Sequence, residues 1–141
     1  MSSLFQFACN SLGMNYTSGL VVRKVKTDSQ KSFYLKCISF ENGLFILVGE
    51  GADRIGSLTI SISSSNKTNT ATIIPSKYNS MFINTVSERV SSMINGICLV
   101  SLYSVKQLNL DDMKAIMEEI MNIIGGKHYG NNQKKEPERF Q

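Results

Sequence analysis

Tryptophan is absent from the 141-residue chain, histidine occurs once, proline twice and cysteine three times. The shortages of histidine and cysteine each remove a class of chemistry. The single histidine, His128, sits in a polar run with glycines and asparagines, so it is not expected to be held in hydrogen-bond reach of a nucleophile. Cys9, Cys37 and Cys98 form an odd set with no Cys-x-x-Cys spacing and no histidine cluster, which excludes a disulfide framework and a recognisable zinc pattern. They are expected to be buried thiols in a reducing compartment, the cytoplasm with the nucleus as a second setting. No apolar run approaches the roughly 18 residues that a membrane helix needs, and MSSLFQFACN lacks the basic flank of a secretory signal. No membrane is therefore expected as a partner. Without secretion, the acceptor patterns at Asn15-Tyr-Thr17 and Asn66-Lys-Thr68 read as chance.

What remains suits one folded domain, with 42% hydrophobic residues and a net charge of +4. The positive excess is local: Arg23, Lys24, Lys26, Lys31 and Lys36 are opposed only by Asp28. Such a strip can attract nucleic acid or an acidic surface, but so few basic residues fit solvated strand faces better, and no nucleic acid is expected.

Residues 1–17 carry no clear period. Gly19 to Lys26 is β-prone, Asp28 to Gln30 forms a turn, and Phe33 to Phe40 alternates with both faces substantially apolar. Glu41-Asn42-Gly43 makes a short turn before the unbroken apolar run Leu44 to Val48, the mark of a central strand covered on both faces. After a glycine-punctuated loop, Leu58 to Ser63 alternates cleanly, which predicts Leu58, Ile60 and Ile62 inward and Thr59, Ser61 and Ser63 outward. A polar connector, Ser63 to Asn69, leads to a further strand, Thr70 to Ile74.

The period then changes. Phe82, Val86, Val90, Met93 and Ile94 recur at helical steps from Ser80 to Ile94, with Ser87, Glu88, Arg89 and Ser91 opposite, and Asn95-Gly96 as the stop. Ile97 to Tyr103 is a sixth strand. A second helix opens at Asn109, with Asp111 and Asp112 in its first turn, and carries Met113, Ile116, Met117, Ile120, Met121 and Ile124 on one stripe. Gly125-Gly126 should end it, leaving 126–141 as a mobile polar tail. The expectation is a single α+β domain over 18–125 in the order βββββαβα, a six-stranded antiparallel β-sandwich-like meander flanked by two helices.

No constellation points to catalysis. The loop Gly49-Glu-Gly51-Ala-Asp-Arg-Ile-Gly56 lacks the helix that a phosphate-binding glycine loop opens, so neither nucleotide nor other cofactor is expected. Asp111-Asp112 and Glu118-Glu119 are adjacent on a helix and diverge by about 100°. Cys37, on a strand among Phe33 and Leu35, reads as a small buried hydrophobe. What survives favours association, because two strands are apolar on both sides and two helices are too few to cover them. The least accounted-for face carries Tyr34, Lys36, Ile38 and Phe40, which are the candidate partner-binding residues.

FENGLFILVG from Phe40 to Gly49, followed by the serine-rich strand IGSLTISI from Ile55 to Ile62, resembles the central hairpin of the proteasome assembly chaperone 3/4 family. The order of the Ser80 helix, the strand ICLVSLY and the final helix is similar to the same family over Lys31 to Ile124, slightly closer to its chaperone 4 branch, and PERF at Pro137 to Phe140 resembles that branch's chain end. The resemblance implies a non-enzymatic chaperone with no metal or cofactor. It would pair with a paralogue, or with itself when alone, and bind proteasome α-subunits to promote α-ring formation. The alternative is a longin or roadblock scaffold of a trafficking or signalling complex, which a helix before Phe40 would favour.

Overall fold

The computed structural model describes residues 19–135, with side chains through Gly125. The readings made for residues 1–17, for the side chain of His128 and for Pro137 to Phe140 lie outside the described residues. Six strands and two helices follow in the expected order: β1 (Leu20–Lys26), β2 (Ser32–Phe40), β3 (Gly43–Glu50), β4 (Ser57–Ser64), β5 (Lys67–Ile74), α1 (Ser80–Ile94), β6 (Ile97–Tyr103) and α2 (Leu110–Lys135). No helix precedes Phe40 among them.

The α+β class holds, but the antiparallel meander does not. All six strands form one sheet in the order β1-β2-β3-β6-β4-β5, and β6 runs parallel to β3. The cause is the crossover through α1: the helix carries the chain from edge strand β5 back across the sheet, so that β6 fills the slot between β3 and β4. The unbroken apolar run of β3 thus belongs to an inner strand, as expected, but it is covered on one face only: Leu44, Ile46 and Val48 are buried against the helices, while Phe45 and Leu47 lie on the side away from them. Nor is the fold a sandwich of two sheets. Both helices lie on one face, because Arg23, which shares a face with Leu35, bonds Glu119 of α2 at 3.3 Å, while Ser61 of β4 bonds Ser87 of α1.

The covered face holds the core. Phe33, Leu35, Cys37, Leu44, Ile46, Val48, Cys98, Val100 and Leu102 meet Ile83, Val86 and Val90 of α1 and Ile116, Ile120, Ile123 and Ile124 of α2. On β4 the expected direction is reversed. Ser57, Thr59, Ser61 and Ser63 are buried, and Leu58, Ile60 and Ile62 face away from the helices. Helix α1 explains the reversal by turning Ser87 and Ser91, expected on its wet side, against the sheet, where Ser61–Ser87 and Ser63–Ser91 are each 2.8 Å apart. Small hydroxyls satisfy one another there and let helix and strand approach closely. The cost falls on Met93, which is exposed.

Local signals explain the boundaries. At α1's end Asn95 adopts the left-handed conformation and the Gly96 amide bonds the Ser91 carbonyl at 3.1 Å. At the start of α2 the Asp112 amide donates to Asn109 Oδ1 at 2.8 Å, and the Asn109 amide donates back to Asp112 Oδ2 at 3.4 Å, a reciprocal cap. The expected polar connector after Ser63 is instead a two-residue hairpin: Ser65 and Asn66 have φ of 50° and 70°, the geometry that matches strand twist. The predicted stop at Gly125-Gly126 is not observed, and α2 runs on to Lys135. Glycine inside a helix costs only about 1 kcal/mol, which the buried isoleucines before it offset.

Candidate functional site

The face of the sheet turned away from both helices is the candidate site. Strand alternation and the register place on it Leu20, Val22 and Lys24 of β1, opposite Ile38, Lys36 and Tyr34 of β2. Next come Phe45 and Leu47 of β3, then Ile97, Leu99 and Tyr103 of β6, then Leu58, Ile60 and Ile62 of β4. All four residues singled out from the sequence, Tyr34, Lys36, Ile38 and Phe40, share this face. Phe40 is 59% exposed and Val22 52%, while Ile62 and Leu20 are also open to solvent. Neither helix covers this surface, though its middle residues are half-buried among their neighbours, and Ser101 of β6, opposite Leu47 and Leu58, is wholly buried and accepts from the Gly56 amide of the β3–β4 loop at 3.1 Å. Its breadth across five strands exceeds the single strand that sequence reading selected. The missed signal was in β4, whose isoleucines were assigned to the core.

One end of the face is closed by the β3–β4 loop. Asp53 bonds Lys36 at 2.5 Å, and the Arg54 guanidinium lies 4.7 Å from the centre of the Tyr103 ring. Gly49 makes this fold-over possible, since a Cβ there would stand 2.1 Å from the Ala52 carbonyl oxygen. The glycine loop therefore serves close backbone approach and leads into β4 rather than a helix, as its sequence context implied. At the other end a pocket of about 350 Å³ opens beside Phe40, lined by Gly43, Leu44, Ile94 and Ile97, with Glu41 as its one ionisable residue. That lining is suited to an apolar side chain and holds no acid–base pair.

The basic strip does not survive as a unit. Arg23 turns to Glu119 on the helix side, Lys31 bonds Asp112 at 3.0 Å, and Lys36 bonds Asp53. Asp112 is wholly buried; burial opposes its charge, but hydrogen bonds from Lys31, Ser29, Thr27 and the Asn109 amide outweigh that and hold its carboxyl below the usual range. Lys24 lies over the Tyr34 ring at 5.7 Å. The strip is thus divided between two faces, and of its ion pairs only Lys31–Asp112 engages a buried partner.

Cys37 and Cys98 are buried on the core side, and burial, with a smaller contribution from Cys37, pushes the Cys98 thiol up to about 12. Such a thiol stays protonated and unreactive. Among the described residues no group of His, Cys, Asp and Glu is placed to hold a metal, and no helix is long and apolar enough to cross a membrane.

No family model and no curated protein matches the sequence. The fold does recur among solved structures. A chain of a chaperone complex for yeast 20S proteasome assembly is similar with a TM-score of 0.50 at 12% identity, over 72% of this chain and 97% of that one. This chain shares the fold of a proteasome assembly chaperone. The likeness extends over nearly the whole of that neighbour.

Proposed function

We propose that this chain is a non-enzymatic chaperone of proteasome assembly, acting in the cytoplasm. It pairs with a paralogous chaperone through the open sheet face and binds α-subunits of the core particle to promote α-ring formation. The observation that carries the reading is a largely apolar sheet face, spread over five strands, that helices α1 and α2 leave uncovered. Exposed apolar sheet attracts other sheet, and a chain that keeps one must either aggregate or meet a partner of matching shape. The likeness in fold to a chain of a proteasome assembly chaperone complex supports the choice of partner class. Ile38 and Phe40, at the apolar centre and the open end of β2, are the proposed contact anchors, with Tyr34 and Lys36 nearer the loop-covered end.

Affinity capture of the full chain from its native cell tests this. The wild type is expected to co-elute with a second small chaperone and with proteasome α-subunits. Ile38→Asp and Phe40→Asp, with unchanged circular dichroism, should lose the second chaperone. A wild-type chain that runs as a stable monomer by light scattering and carries neither class of protein would overturn the proposal.

A further inference from the structure

We infer that the open face selects a partner sheet with an acidic border and disfavours a second copy of this chain; this rests on the reading of that face as the pairing surface. Every strand charge on the face is positive. Lys24 and Lys26 stand on β1, Lys36 on β2 and Lys67 on β5, because the register sets them opposite Tyr34, Ser32, Val22 and Ser64 respectively. β1 and β5 are the two edges of the sheet, so basic groups stand at both margins of an apolar centre. No strand carboxylate shares this face among the described residues: Glu50 pairs with Phe33 on the covered side and accepts from the Val105 amide at 3.0 Å. The nearby acids are Asp53, already engaged with Lys36, and Glu41 in the β2–β3 turn.

Two copies laid face to face therefore bring the unpaired Lys24, Lys26 and Lys67 of each together, six lysines beside the two Lys36 already paired with Asp53, and supply no strand carboxylate to meet them, whichever way the sheets cross. A partner with Asp or Glu along its margins meets Lys24, Lys26 and Lys67 with opposite charge. Apolar contact at the centre is common to both pairings, so the charges at the margins decide between them. These margins stay in water, and the discrimination is accordingly screened by salt, with a Debye length of about 10 Å at 0.1 M.

The test mixes fluorescently labelled wild type with the triple variant Lys24→Glu, Lys26→Glu, Lys67→Glu, whose face supplies an acidic border. At about 50 mM salt the mixed pair should bind at least roughly fivefold more tightly than wild type binds itself, and the two should converge near 0.5 M. Ile38→Asp, made in both chains, should abolish either pairing. Equal mixed and self affinities at low salt, with Ile38→Asp still disruptive, would overturn the charge selection and leave the pairing face standing. Pairing that survives Ile38→Asp, or no pairing at any salt, would overturn both together.

Discussion

Ser61 of β4 and Ser87 of α1, both without solvent exposure, share a hydrogen bond of 2.8 Å in the layer where strand and helix meet. Ser61 is also 2.8 Å from Thr70 of β5, and Thr70 donates to Glu88 at 2.9 Å, so the hydroxyls form a connected network. A polar layer of this kind is stable only while each member keeps its partners. It fixes the crossover helix against β4 on the covered side of the sheet.

The reversal of β4 sets two neighbouring substitutions apart. Ser61→Leu forces a larger side chain between β4 and α1 and strands the Ser87 hydroxyl, and should cost about 2 to 4 kcal/mol. Ile62→Ser, at a position 45% exposed on the open face, should cost less than about 1 kcal/mol in the isolated chain. Urea unfolding of the two variants checks the order; the opposite order would mean that the isoleucines face the core.

Asp112 links the cap of α2 to the β1–β2 turn through Lys31 and Ser29. Asp112→Asn removes the buried charge while leaving Lys31 in place, and should destabilise by about 2 to 4 kcal/mol at pH 7. Because the folded carboxyl titrates below its unfolded value of about 3.9, its contribution is complete above that pH. It is lost as pH falls through the lower, folded value. Stability curves of wild type and variant should therefore converge on acidification below about pH 4, and a gap that stays constant would show that the charge is not the source.

Gly49→Ala places a methyl group against the Ala52 carbonyl, 2.1 Å from its oxygen, and the loop carrying Asp53 and Arg54 must move away from the sheet. A loss of about 1 to 3 kcal/mol is expected, together with faster amide exchange in 51–56. Unchanged exchange there would mean that the loop does not depend on this contact.

The buried thiols give a direct check on the absence of nucleophilic chemistry at these two positions. Cys37 and Cys98 should resist iodoacetamide in the native chain at pH 8 and react fully in denaturant, read by peptide mass mapping. Rapid native labelling of either would reopen an enzymatic reading.

Much of the candidate face was legible in β2. Phe33 to Phe40 is apolar on both sides, so one side had to lie outside any single layer of helices, and the four residues named from that pattern do share the uncovered face. β4 was misread for a physical reason. Alternation states which residues share a face, and hydrophobicity normally states which face is inside, but here the covering helix offers serines and the strand answers with serine and threonine. The same substitution of hydroxyl for apolar contact shifted the buried stripe of α1 onto Ile83, Val86, Ser87, Val90 and Ser91.

Element order, turn positions and helix caps were determined by the chain locally, because each depends on residues a few positions apart: Asn95 adopting a left-handed conformation, Asn109 reaching the Asp112 amide, Ser65-Asn66 closing a hairpin. Strand neighbours and the inner face were decided only by tertiary structure. Nothing local tells β6 to pass between β3 and β4, since that position exists only once α1 has crossed the sheet, and nothing local tells Ser61 that Ser87 will be waiting. The bare apolar face is the product of both: composition made two-sided strands, and packing both helices on one side left the other uncovered.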